Sequence, residues 1–107
     1  PLAFAALWDS WTDATDGTVI ESCAVITTTP NSLLGRIHDR MPVLLDETTA
    51  ATWLDSDLAD PTKLISAFPT ERLTETALGT YVNSSRSEGP ACLTPRGQAL
   101  GSQFDLF

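Results

Sequence analysis

Short apolar runs, separated by polar breaks that carry glycine and proline, set the rhythm of this chain. Residues 2–8, Leu-Ala-Phe-Ala-Ala-Leu-Trp, are its longest uninterrupted apolar stretch and predict a buried strand. The cluster Asp-Ala-Thr-Asp-Gly at 13–17 follows, and an Asp-Gly pair between apolar runs is a strong hairpin signal. An antiparallel return strand is expected over 19–28, where Val19, Ile20, Cys23, Val25 and Ile26 are interrupted by Glu21 and Ser22, and Cys23 is expected in the core. Thr29 before Pro30 predicts the cap of a short helix over 31–34 that Gly35 ends, leaving 36–40 as a loop. Residues 41–45 predict a short strand entered through Pro42. Asp46 then predicts the N-cap of a helix running through Glu47, Ala50, Ala51 and Trp53. A third helix is expected from Asp60-Pro61 through Leu64, Ile65 and Phe68, closed by Pro69. Leu73, Ala77, Leu78, Tyr81 and Val82 around Gly79 predict a strand pair or a bulged strand over 73–83. From Ser84 the chain reads as loop and then tail. Trp8 and Trp53 lie within apolar patterns and are expected to pack in the core. Trp11 is left between packing and the stacking on single-stranded bases that exposed aromatics can provide.

Composition narrows what such a chain can do. The sequence has 107 residues, 42% of them hydrophobic and 19% charged, which describes one globular unit with no repeat and no internal domain boundary. Six Lys and Arg against fourteen Asp and Glu give a net charge of −8. That balance argues against this chain alone gripping a polyanion, because non-specific nucleic-acid affinity comes from cations that neutralise phosphates. No apolar run approaches the ~20 residues of a membrane span, and no basic segment precedes residues 2–8 as a signal peptide requires. Cys23 and Cys92 make neither a disulfide framework nor a metal ligand set, so a reducing cytoplasm is the expected compartment. The chain opens on Pro1 with a strand and no lead-in, and the expectation is the interior of a longer sequence.

The scarce positive charge gathers around the single histidine, in Arg36-Ile-His38-Asp-Arg40-Met-Pro42. An imidazole that titrates near neutrality can shuttle a proton, and a guanidinium can bind a phosphate or carboxylate. The same residues also suit a purely structural loop, with His38 hydrogen-bonded to backbone and Arg40 paired with Asp39 or another acid. Residue types alone leave both readings open.

Four stretches carry a resemblance: Phe4-Ala-Ala-Leu-Trp8, Glu21-Ser-Cys-Ala-Val-Ile-Thr27-Thr28, Ile37-His-Asp-Arg-Met-Pro42 and Tyr81-Val-Asn83. In order and spacing, from Pro1 to about Pro95, they resemble the C-terminal portion of the SRAP family, the SOS response-associated peptidases or abasic-site processing proteins. The resemblance implies an α+β fold, a mixed and mostly antiparallel, curved, barrel-like sheet with short helices around it. It also implies an enzyme that crosslinks covalently to abasic sites in single-stranded DNA during the DNA damage response. In the family a cysteine at the mature N-terminus forms a thiazolidine through its amine and thiol with the ring-opened sugar aldehyde. That cysteine and the stretch carrying the family's catalytic glutamate would lie upstream of Pro1, so this fragment is expected to be inactive alone. By the same resemblance His38 is the catalytic acid/base, Arg40 contacts phosphate, and Thr27 and Asn83 belong to the pocket and DNA-binding surface. Asp39 is expected to orient the loop, and neither Cys23 nor Cys92 matches the nucleophile. The peptidase activity that the resemblance implies is removal of the initiator methionine, and a general protease is disfavoured because His38 has no visible Ser or Cys partner. No cofactor and no metal are implied, and the location implied is the bacterial cytoplasm around the nucleoid.

The domain is thus expected over 1–95, with a flexible tail over 96–107. The tail ends in Gln103-Phe-Asp-Leu-Phe107, which resembles the pentapeptide by which bacterial replication and repair proteins bind the sliding clamp. In that mode Leu106 and Phe107 fill an apolar groove and the Gln103 amide fixes orientation. Two alternatives stand beside the enzyme: a truncated, non-catalytic module tethered to the clamp by this tail, and a remnant without function. The bland reading of the tail is that Phe104 and Phe107 fold back onto the domain.

Overall fold

The computed structural model describes residues 1–98. Backbone contacts divide the chain into two compact units, the first Pro1–Leu73 and the second beginning at Thr74.

The first unit is built from three extended segments, each of which pairs with both of the others. Strand β1 (Ala3–Phe4) continues, after Ala5, as β2 (Ala6–Thr12). Strand β3 (Val19–Val25) continues, after Ile26, as β4 (Thr27–Thr28). Strand β5 (Met41–Pro42) continues, after Val43, as β6 (Leu44–Leu45). The ladders are antiparallel: β2 with β3, β4 with β5, and β1 with β6. At the three break points a ring of backbone hydrogen bonds closes. The Ala5 N–H donates to the Val43 carbonyl, the Val43 N–H to the Ile26 carbonyl, and the Ile26 N–H to the Ala5 carbonyl, each at 2.9 Å.

This junction corrects the expected strands and sheet. The runs 2–8, 19–28 and 41–45 are extended as predicted, but each exchanges partners at one residue. The exchange splits the sheet into three two-stranded ladders, with no closed barrel among the described residues.

The core sits under the junction. Ala5, Val43 and Leu45 are buried together, with Ile26, Ala50 and Trp53 packed against them. Side chains alternate along a strand, so Met41, Val43 and Leu45 point inward while Arg40 falls on the opposite face. Helix α1 (Glu47–Trp53) follows immediately, started by Asp46 as predicted. The Asp46 carboxylate accepts from the Thr49 N–H while the Thr49 hydroxyl accepts from the Asp46 N–H, a reciprocal cap that satisfies otherwise orphaned donors. At the far end of α1 the Trp53 Nε1–H donates to the Ala6 carbonyl at 3.2 Å.

The β2–β3 hairpin forms as the Asp-Gly signal predicts, with Gly17 in the left-handed region at φ 76°. It extends away from the core, and its side chains are largely exposed. Cys23 and Trp8, opposite each other across the ladder, are therefore on the surface and not in the core, with Trp8 72% exposed. Trp11 is likewise exposed, and only Trp53 of the expected core tryptophans is partly buried.

The short helices are also revised. Residues 31–34 form no helix; a 3₁₀ turn spans Leu34–Arg36 and contains Gly35. Asn31 organises it, its amide oxygen accepting from the Leu33 and Leu34 N–H groups. Asp60 caps a 3₁₀ turn, Pro61–Leu64, that ends before Ile65. Phe68 is buried beyond it. In the second unit the expected strand pair over 73–83 reduces to one bridge between Leu78 and Pro95 and a 3₁₀ turn at Thr80–Asn83. Another 3₁₀ turn spans Pro90–Leu93, and Thr94 is buried beside it. No helix of the described residues is long and apolar enough to cross a membrane.

Candidate functional site

The loop between the Leu34–Arg36 turn and β5 is held at both ends. At its start the Ile37 and His38 N–H groups donate to the Leu34 carbonyl. At its end Met41 is 1% exposed, and its sulfur accepts from the Asn31 N–H at 3.3 Å. Asn31 also donates from its side-chain amide to the Phe68 carbonyl at 2.7 Å. Rigid anchoring of this kind lets an exposed loop present side chains in a fixed geometry.

Between the anchors lie His38, Asp39 and Arg40. The β4–β5 ladder pairs Thr27 with Pro42 and Thr28 with Met41, so Arg40 and Thr27 are diagonal neighbours on one face. The Arg40 guanidinium reaches across, donating from Nη2 to the Thr27 carbonyl at 2.7 Å and hydroxyl at 3.0 Å, and from Nε to the same hydroxyl at 3.2 Å. These bonds use Nε and Nη2 and leave the Nη1 hydrogens outside them. The His38 side chain is 68% exposed, with Nδ1 turned back to the loop. Nδ1 lies 3.0 Å from both the N–H and the carbonyl oxygen of Arg40, and 3.1 Å from Asp39 Oδ1.

Thus Arg40 links the three exposed residues, its guanidinium bonded to Thr27 and its backbone to the His38 ring. Asn83 is exposed at the end of the Thr80–Asn83 turn in the second unit. Gln103, Leu106 and Phe107 lie outside the described residues. One contributor, the anchoring role of Asn31, went unnoticed in the sequence. Asn31, next to Pro30, could have been found from the habit of Asn side chains of bonding backbone two residues on. Asp39 was visible, but its distance to Nδ1 was not.

A second polar cluster is structural. Arg72 Nη1 donates to Asp46 Oδ2 at 2.9 Å, and its guanidinium carbon stands 4.7 Å above the centre of the Phe68 ring. The Thr49 N–H, then Arg72, then the Thr49 hydroxyl hold the Asp46 carboxyl down at a pKa of about 2. Among the described residues no group of three or more His, Cys, Asp or Glu is arranged to hold a metal ion.

Residues 1–85 match the family model described as SOS response associated peptidase. The abasic site processing protein YoqW of Bacillus subtilis is 33% identical over 91 residues, which are 82% of this chain and 40% of that protein. The abasic site processing protein HMCES of Pongo abelii is 35% identical over 96 residues, 88% of this chain and 27% of that protein. A solved structure of a Bacteroides thetaiotaomicron protein superposes with a TM-score of 0.71 at 25% identity, over 85% of this chain and 42% of the other. The chain therefore spans less than half the length of these relatives. With most of its own length matched by the family model, including the strands and loop that carry Thr27, His38 and Arg40, the chain belongs to the SRAP family.

Proposed function

We propose that this chain supplies the histidine–arginine side of an abasic-site processing centre acting on single-stranded DNA. The observation that carries it is the anchored, exposed group of Thr27, His38 and Arg40, in a chain 33% identical to one abasic site processing protein and 35% to another. An abasic sugar reacts as its open-chain aldehyde. Opening the hemiacetal removes a proton from the anomeric hydroxyl and delivers one to the ring oxygen. An imidazole at a mobile-proton position suits that transfer. Arg40, with Nη1 outside the bonds to Thr27, suits a DNA phosphate, and the Thr27 hydroxyl lies beside it. Asn83 is assigned to the DNA surface by resemblance alone. Condensation of an α-amine with the aldehyde, loss of water and addition of the neighbouring thiol would then close the thiazolidine. Cys23 and Cys92 carry no free α-amine, so the nucleophile comes from polypeptide outside these residues, and the 107-residue chain alone should not crosslink.

The test is a covalent band shift on a denaturing gel, using single-stranded DNA with one abasic site. The chain is joined in frame to the polypeptide encoded upstream of Pro1. His38→Ala is expected to slow crosslinking ~100-fold, the lower range for a general acid–base group. An unchanged rate would remove His38 from the chemistry.

The terminal pentapeptide supports a second, separable role in tethering. In sequence, Gln103, Leu106 and Phe107 match the contact positions of the clamp-binding pentapeptide that this segment resembles. Titrating a bacterial clamp with the peptide of residues 96–107, beside Leu106→Ala and Phe107→Ala, tests it. No binding at high micromolar concentration refutes the tether without touching the enzymatic reading.

A further inference from the structure

We infer that Asp39 is a positioning residue that fixes the His38 ring with its proton on Nδ1, leaving Nε2 as the outward-facing base. A neutral imidazole carries one proton and one lone pair, and the loop sets its neighbours in competition for Nδ1. One neighbour is a donor, the Arg40 N–H at 3.0 Å. Two are acceptors, the Arg40 carbonyl at 3.0 Å and the Asp39 carboxylate at 3.1 Å. If Nδ1 holds the lone pair, one neutral hydrogen bond forms and two oxygens, one of them anionic, face that lone pair. If Nδ1 holds the proton, it donates to both oxygens, and only the Arg40 N–H loses its partner. That amide sits in an exposed loop where water can replace the bond.

The balance therefore favours Nδ1–H, with the carboxylate as the deciding charge. The Arg40 guanidinium is engaged elsewhere, bonded to Thr27. Arg36 lies in the turn before the loop and is the other charged side chain of this segment. A histidine held on a carboxylate through one ring nitrogen presents the other to substrate, and protonation at Nε2 then creates an imidazolium already facing an anion. The tautomer matters to the reaction proposed above, on which this inference rests. Only a ring with its lone pair on the solvent side can take the anomeric proton.

The chain has one histidine, so its ring gives a single pair of nitrogen resonances. Ring-labelled protein is examined by long-range ¹H–¹⁵N NMR at a pH where imidazole is neutral, without DNA. The wild-type chain should show the Nδ1–H form in excess. Asp39→Ala should lower the ratio of Nδ1–H to Nε2–H about threefold, a modest effect because both side chains are exposed. Asp39→Asn, which keeps an acceptor and loses the charge, should fall between. Their backbone spectra report that the loop still folds. An excess of Nε2–H in the wild type, or a ratio in Asp39→Ala equal to the wild type, overturns the assignment. Because no DNA is present, that failure leaves the crosslinking reading standing, and a failed crosslinking assay leaves the tautomer measurement standing.

Discussion

Val43 offers the sharpest test of how the first unit is held together. Its side chain is fully buried with Ala5 and Leu45, and its backbone supplies two of the three bonds of the junction. Val43→Ala leaves the backbone bonds in place and removes two buried carbons. At ~0.8 kcal/mol per carbon the transfer loss is about 1.6 kcal/mol. A residual cavity of ~40 Å³ at ~24 cal/mol per Å³ adds about 1 kcal/mol. The sum, about 2.5 kcal/mol, is a large share of the ~5–15 kcal/mol that stabilises an ordinary domain. Trp8, Trp11 and Trp53 all belong to the Pro1–Leu73 unit, so tryptophan fluorescence follows that unit selectively during urea unfolding. With a urea slope of about 1.6 kcal/mol/M, the midpoint should fall by about 1.5 M. Ala5→Val in the same background should recover part of the loss, because Ala5 shares the cluster and can refill the space. A shift below ~0.4 M, at unchanged slope, would falsify the view that the junction encloses a packed core.

Other consequences follow from single contacts. Met41→Ala should cost about 3 kcal/mol, while the near-isosteric Met41→Leu should cost less than ~1.5 kcal/mol, both read by the same unfolding assay; equal losses would mean that Met41 acts through its sulfur bond and not its volume. The stabilising effect of the Asp46 carboxylate is complete above its unfolded pKa of ~3.9. It fades as pH falls towards about 2, so Asp46→Asn should flatten the acid limb of stability against pH, and parallel acid limbs for the two proteins would contradict this. Gly17→Ala meets no steric neighbour but forces a side chain into the left-handed region, which should cost ~1–2 kcal/mol of stability, and an unchanged melting temperature would show that the turn can relax.

Much of the local structure was legible because it depends on near neighbours. Asp13 and Asp16 turn the chain through bonds to Thr15 and Thr18, their carboxyls held low by those same bonds. Asp46 starts its helix from within four residues, and residues 41–45 are extended as their short apolar run predicts. Long-range features were not legible. An apolar strand declares a preference for burial, but burial needs another layer against it, and Trp8 and Cys23 have none among the described residues. The partner exchange at Ala5, Ile26 and Val43 depends on three distant segments meeting, which no window of local pattern contains. Leu73, Leu78 and Tyr81 have strand-like composition, yet a strand exists only where a ladder partner is supplied, and among the described residues Leu78 finds only Pro95. At the site, the cluster of His38 with two arginines was visible as composition. The turn of Arg40 onto Thr27 required the antiparallel register of two short strands.

The ring of three amides also answers a question that the hairpin raises about itself. With apolar residues on both faces of β2 and β3, inside and outside do not differ enough to stop one strand sliding past the other by a residue. Ala5 and Ile26, however, sit at the root of that ribbon, each bonded to the other and to Val43. A slip of β2 against β3 would carry Ala5 away from Ile26 or Val43, and β1 and β4 would lose their own alignments with β6 and β5. Each ladder thus acts as the index mark for the other two. Alignment along the whole ribbon is dictated from one end by backbone geometry, which frees its side chains to be chosen for something other than keeping the strands in step.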